Sequence, residues 1–132
     1  MSMQKLLARA PSQNVEVTVL GSAARTATTN SADMTNNAGR GLDLTFDITA
    51  VPGVQTVTLT IQGKDPASGK YYTLLAGAAQ SGTGTLRMRV YPGLTAATNV
   101  DANGSLPKTW RVSVAHSGAG SFTYSVGGSV LL

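Results

Sequence analysis

The chain has no cysteine, which excludes a disulfide framework, a thiolate metal site and a cysteine nucleophile together. The redox compartment stays open, because a cysteine-free chain suits either one. Histidine occurs once, at His116. Charge is scarce: Asp, Glu, Lys and Arg make up 12% of the residues, fewer than a surface kept soluble by repulsion carries. No apolar run approaches the ~20 residues of a membrane-spanning helix, so no membrane partner is expected. The apolar stretch within Met1–Pro11 is shorter than the ~7–15 residues of a secretory signal core, and it reads as an arm rather than a leader. No segment shows a 3.6-residue period.

What is present is small and β-branched. Thr, Ser, Ala, Gly, Asn and Val dominate, a composition that suits sheets and extended loops. At 132 residues the chain is one domain, able to bury roughly two-thirds of its unfolded surface without a metal or a cross-link. The clearest pattern begins at Gly41. Leu42, Leu44, Phe46 and Ile48 alternate with Asp43, Thr45, Asp47 and Thr49, the period-two signature of a strand with one wet face. Val57, Leu59 and Ile61 repeat the pattern after Pro52-Gly53, and a turn-rich stretch over 64–70 leads to a third strand that opens on Tyr71-Tyr72.

The same reading places strands at 14–20, 22–30, 85–91, 107–116 and from Phe122 onward, with loops at 31–40 and 93–106. The weakly amphipathic stretch 22–30 reads as an edge strand, with Arg25 blocking edge pairing. Trp110, Val112 and Val114 fall on one face of their strand, and Phe122, Tyr124 and Val126 on one face of the last. The predicted fold is all-β: an antiparallel β-sandwich, immunoglobulin-like or jelly-roll-like, of about eight strands over 14–132, preceded by an extended amino-terminal arm over 1–13.

Little here assembles into chemistry. His116 needs a nucleophile and an orienting acid, and Asp65 or Asp101 serve only if the fold brings them close; a turn-flanking histidine is the plainer reading. Asp43 and Asp47 lie about 13 Å apart along one strand, too far to share a metal. The 99–104 loop, with Asn99, Asp101 and Asn103 before Gly104, resembles half a calcium loop but lacks the downstream glutamate. Gly39-Arg40-Gly41 and Gly82-Thr83-Gly84 lie between no strand and helix, so neither is a phosphate loop. An enzyme is therefore not expected, and no cofactor or metal. Ten basic residues against six acidic give a net charge of +4, but no three are consecutive. Such dispersion argues against nucleic acid and fits a modestly acidic partner surface or no specific partner. Tyr71, Tyr72, Tyr91, Tyr124 and Trp110 could form a sugar-stacking platform, but Tyr71 and Tyr72 face opposite sides by alternation and Trp110 reads as core, so an oligomer interface is the favoured reading.

Several stretches carry a resemblance: Gly21–Asp33, Gly39–Ala50, Val57–Tyr72, Arg89–Leu94, Leu106–Val112 and Phe122–Gly128. Together they resemble a family of small proteins encoded among the structural genes of tailed bacteriophages, over most of residues 15–132. The resemblance implies a virion component made in the host cytoplasm, most plausibly a capsid decoration (cement) protein on the phage head surface. Its partners would be the major capsid protein and copies of itself, as a trimer or dimer. Residues expected at such contacts are Lys5, Leu6, Leu7 and Arg9 of the arm, with Arg25, Arg40, Tyr71 and Tyr91. The alternatives are a neck, collar or tail protein, or a carbohydrate-binding adhesion module using Tyr71, Tyr91 and Tyr124.

Overall fold

The computed structural model describes residues 13–132, and Lys5, Leu6, Leu7 and Arg9 lie outside them. Ten strands form two sheets: β1 (Val15–Arg25), β2 (Thr29–Asn30), β3 (Met34–Thr35), β4 (Gly41–Ala50), β5 (Val57–Lys64), β6 (Tyr71–Ala76), β7 (Gly84–Tyr91), β8 (Asp101–Asn103), β9 (Thr109–His116) and β10 (Phe122–Leu131). The first sheet runs β1-β10-β4-β7-β8; the second runs β2-β9-β5-β6, with β3 also paired to β9. All pairs are antiparallel except β7 with β8.

The strand order resolves the choice left open by periodicity. Strands β2 and β3 follow each other along one side of β9, so they act as a single broken strand. Ser31 spans the break: its backbone N–H donates to Val112 O at 2.9 Å, and its Oγ accepts from Val112 N–H at 3.0 Å. With that pair counted once and the short β8 set aside, eight strands remain. They pair first with eighth, second with seventh, third with sixth and fourth with fifth. This is a hairpin rolled onto itself, the order of a jelly roll rather than of an immunoglobulin domain.

The alternating residues build the core. Leu42, Leu44, Phe46, Val57, Leu59, Ile61, Trp110, Val112, Val114, Phe122, Tyr124 and Val126 are all fully buried between the sheets. Close backbone approach supports that packing at Gly128, where an added Cβ would collide with Asp43 O on β4.

Three local expectations are corrected. The segments 14–20 and 22–30 do not form two strands separated at Gly21. Strand β1 instead runs through to Arg25, with register shifts between Thr18 and Leu20 and between Leu20 and Ala23 that bend it without ending it. The chain then crosses to the other sheet, where Thr29 and Asn30 join β9. The loops at 31–40 and 93–106 each contain a short strand, β3 and β8. β8 escapes an alternation test because it is only three residues long, and its parallel pairing is fixed by Arg89 rather than by an apolar pattern.

The register defines two ends. At one, β4 and β9 begin, β5, β7 and β10 finish, and Val15 enters β1 opposite Val130. At the other, Arg25 lies opposite Phe122, Ile48 opposite Gly84 and Val57 opposite His116.

Candidate functional site

Three ion pairs take up six of the fourteen charged side chains among the described residues. On the outer face of the first sheet, both Arg87 Nε and Nη2 donate to the Asp43 carboxylate, at 2.8 and 2.6 Å. Arg89 binds Asp101 in the same forked way, at 2.9 and 3.2 Å, and Thr85 donates to Asp47 at 3.2 Å. The carboxylates hold both guanidinium groups more firmly protonated than usual. Asp101, considered above as half of a calcium loop, is thus occupied by an arginine, and Asn103 Oδ1 accepts from Gly93 N–H at 2.8 Å.

The second sheet carries a comparable network. Tyr71 Oη donates to Asp33 at 2.6 Å and Lys64 Nζ donates to the same carboxylate at 2.9 Å. The tyrosine hydrogen bond, then the lysine, holds the Asp33 carboxyl below its ordinary range, and Asp33 in turn raises Lys64. The Arg111 guanidinium lies 3.4 Å from the centre of the Tyr71 ring and donates to Gln62 at 2.8 Å. In the adjoining turn, Asp65 is held low by a hydrogen bond from Ser68 and one from Ala67 N–H.

Of the eight described lysines and arginines, three remain. Arg40, Lys70 and Lys108 are exposed and make no side-chain hydrogen bond or ion pair with another described residue. All three lie at one end of the sandwich. Leu106 N–H donates to Arg40 O at 2.9 Å, which brings the loop before β4 beside the loop before β9. Asn36 pins those loops together. It is buried; its Nδ2 donates to Gly39 O at 2.8 Å and Leu106 O at 3.0 Å, and its Oδ1 accepts from Gly39 N–H at 2.8 Å. Its own N–H donates to Lys108 O at 2.7 Å. Gly39 is required there, since an added Cβ would strike the Val130 side chain. Lys70 stands in the β5–β6 turn at the same end, its carbonyl accepting from Asp65 N–H at 2.8 Å.

An apolar cleft opens at the same end, between β1, β10 and the loop that leads to Arg40. It has a volume of about 90 Å³ and is lined by Val15, Val17, Asn36, Gly39, Val130 and Leu132. Val15 and Leu132 are exposed at its rim. Asn14 lies at this end too, its Oδ1 accepting from Leu132 N–H at 3.1 Å.

The opposite end is different in kind. Its loops, 26–28, 51–56, 77–83 and 117–121, contain no Lys, Arg, Asp or Glu. Val54 stands 98% exposed at the tip of one of them. Beneath them His116 Nε2 lies 2.8 Å from Tyr124 Oη, and the ring's Nδ1 is buried with no hydrogen-bond partner among the described residues. Arg25 folds inward here. It donates to Tyr124 O at 2.7 Å and Gly21 O at 2.6 Å, with its guanidinium 4.6 Å from the Tyr124 ring centre. Burial, then the Arg25 charge, pushes the His116 imidazole below its ordinary value, and burial raises Tyr124. Asp65 and Asp101 are at the far end, so neither orients this histidine.

The sequence-derived candidates therefore separate. Arg40 is at the basic end with its side chain exposed. Tyr91 is also there, half-buried, its Oη donating to Leu132 O at 2.6 Å. Tyr71 is engaged under Arg111, and Arg25 is engaged at the neutral end. Tyr124 is fully buried, which corrects its place among exposed aromatics: it alternates inward with Phe122 and Val126. Lys70, Lys108 and Asn36 are site residues that the sequence reading misses. The only local signal is the turn composition around each, and their proximity is set by pairings tens of residues apart in sequence. No protein-family model matches the chain, and no curated protein is significantly similar to it. Fold and site define a small jelly-roll β-sandwich in which the unengaged cations among the described residues gather at one end.

Proposed function

We propose that the protein is a non-enzymatic structural component of a bacteriophage virion, a decoration protein that binds the outer surface of the major capsid protein lattice and stabilises the head. The observation that carries this reading is the strand order. A jelly roll is the double-sheet architecture that recurs in viral capsid and lectin domains, and here the stretches that resemble phage structural proteins are the ones that build it. Architecture alone assigns no function, so the support is an analogy of fold joined to a resemblance of sequence. A lattice of identical capsid sites multiplies modest affinity, and a cyclic trimer or dimer presents one patch several times. The carbohydrate-binding reading loses support, because Tyr124 is buried and Tyr71 is covered by Arg111.

The test is to mix purified protein with undecorated capsids of a phage that encodes it and image them by cryo-electron microscopy. Ordered density at every equivalent lattice position is the expected result. A bare shell, with density only at the neck or tail of whole virions, would move the protein to the neck or tail class.

A further inference from the structure

Within that reading of the protein as a lattice-binding component, we infer that the basic end of the sandwich is its docking face and that it fits an acidic protein surface. Two observations converge on this end. Arg40, Lys70 and Lys108 are the described cations that no described side chain engages. A cleft of about 90 Å³ opens at the same end between β1, β10 and the loop that leads to Arg40, large enough for one aliphatic side chain and smaller than the ~150 Å³ that admits benzene.

The carboxylates cancel only part of this charge: Asp33 and Asp101 are paired with Lys64 and Arg89, while Asp65, hydrogen-bonded to Ser68, keeps its charge in the turn that bears Lys70. Glu16 is exposed without a described partner, but it lies opposite Ser129 on the strand face away from Val15 and Val17.

A protein partner is favoured over nucleic acid by the aromatics. Single-stranded nucleic acid is gripped by exposed rings interleaved with cations. Here Tyr71 is covered by Arg111, Tyr91 is tied to Leu132 and Trp110 is buried, which leaves Tyr72, packed over Gly63, as the one exposed ring among the described aromatics. The end offers instead exposed cations and, at its β1–β10 side, a small apolar socket, the polar and apolar elements of a protein-binding surface.

The test uses the whole chain and two probes that do not depend on a capsid: poly-L-glutamate and a 20-base-pair duplex DNA, followed by fluorescence anisotropy at low and moderate salt. The wild-type protein should bind polyglutamate more tightly than the duplex, and weaken as salt shortens the reach of the charges. The triple variant Arg40→Glu, Lys70→Glu, Lys108→Glu should bind polyglutamate at least about tenfold more weakly, while Val54→Ser at the other end should bind as wild type. Circular dichroism of each variant separates loss of binding from loss of fold, and if the triple variant unfolds, the three single variants are read instead. Equal binding by the charge-reversed variants, or tighter binding to the duplex, overturns the inference. On capsids the two readings separate. Bare shells count against decoration and leave the docking face to be judged on the polyglutamate result. Decorated shells with the neutral end against the lattice sustain decoration and overturn the docking face.

Discussion

The two ends of the sandwich are built from the same strands and put them to opposite uses. At the basic end, carboxylates are tied into ion pairs and turns, three cations project without described partners, and a buried asparagine clamps two loops together. At the neutral end, the one nearby arginine is turned inward onto carbonyls, a histidine and a tyrosine are joined below the surface, and the loops carry no formal charge. The difference shows that net charge is a poor guide to a surface. The overall +4 becomes informative only after the internal pairs are subtracted and the remainder is located.

Substitutions can break this comparison at different depths. The largest effect is expected at Trp110, which lies fully buried in β9 opposite Met34 and Gly63 near the basic end. Trp110→Ala should lower stability by about 3–5 kcal/mol in urea unfolding, through lost burial and the cavity left behind. A loss below about 1 kcal/mol would mean that the ring is not part of the core. Asn36→Ala comes next, at about 1–3 kcal/mol, because it leaves the Gly39 N–H and the Gly39 and Leu106 carbonyls without their side-chain partner. Its effect on amide exchange should be confined to the loops bearing Arg40 and Lys108; loosening at 117–121 would contradict the separation of the ends.

Acid should also tell the ends apart. His116 is depressed below its ordinary value near 6.5, so the unfolded chain takes up a proton more readily than the folded one as pH falls through that value. Its contribution to stability is then full above about pH 6.5 and declines below it. Asp33 and Asp65 are depressed below an ordinary value of 3.8, so their contribution is present above that pH and is lost only as pH falls beneath it. Acidification should therefore loosen the neutral end first. Amide protection around β10 near Tyr124, corrected for the intrinsic slowing of exchange in acid, should fall between pH 7.5 and 5, and His116→Phe should abolish that response. A response that survives the substitution would assign it elsewhere. The smallest effect is expected on the sheet face. Arg87→Ala removes an exposed ion pair and should leave the urea midpoint close to that of the wild type, with any difference shrinking as salt is added. A large, salt-independent drop would mean that the Arg87–Asp43 pair helps to hold the sheet together.

How much of this was legible in the sequence follows from the range of the forces involved. Alternation in β4, β5, β9 and β10 is a local consequence of one face being buried, and it marks Phe46, Ile61, Trp110 and Phe122 as core without any knowledge of partners. Topology is not local. That Thr29 leaves the sheet holding Arg25 is decided by bulges in β1 and by the polar staple at Ser31, neither of which disturbs an apolar period. The choice of jelly roll over immunoglobulin order needs the pairing of first strand with last. The basic end is hidden for the same reason. Arg40, Lys70 and Lys108 are far apart along the chain, and dispersion in sequence conceals their gathering in space. Tyr124 shows the reverse error: its alternation places it inside, while its ring chemistry invites a surface role that burial excludes.

The most direct test of the central claim is hydrogen exchange on the protein bound to undecorated capsids, compared with the protein alone. Protection concentrated at 36–40, 65–70 and 104–109, with the loops at 51–56, 77–83 and 117–121 unchanged, is the predicted result. Protection confined to those last three loops, or no protection anywhere, would contradict it.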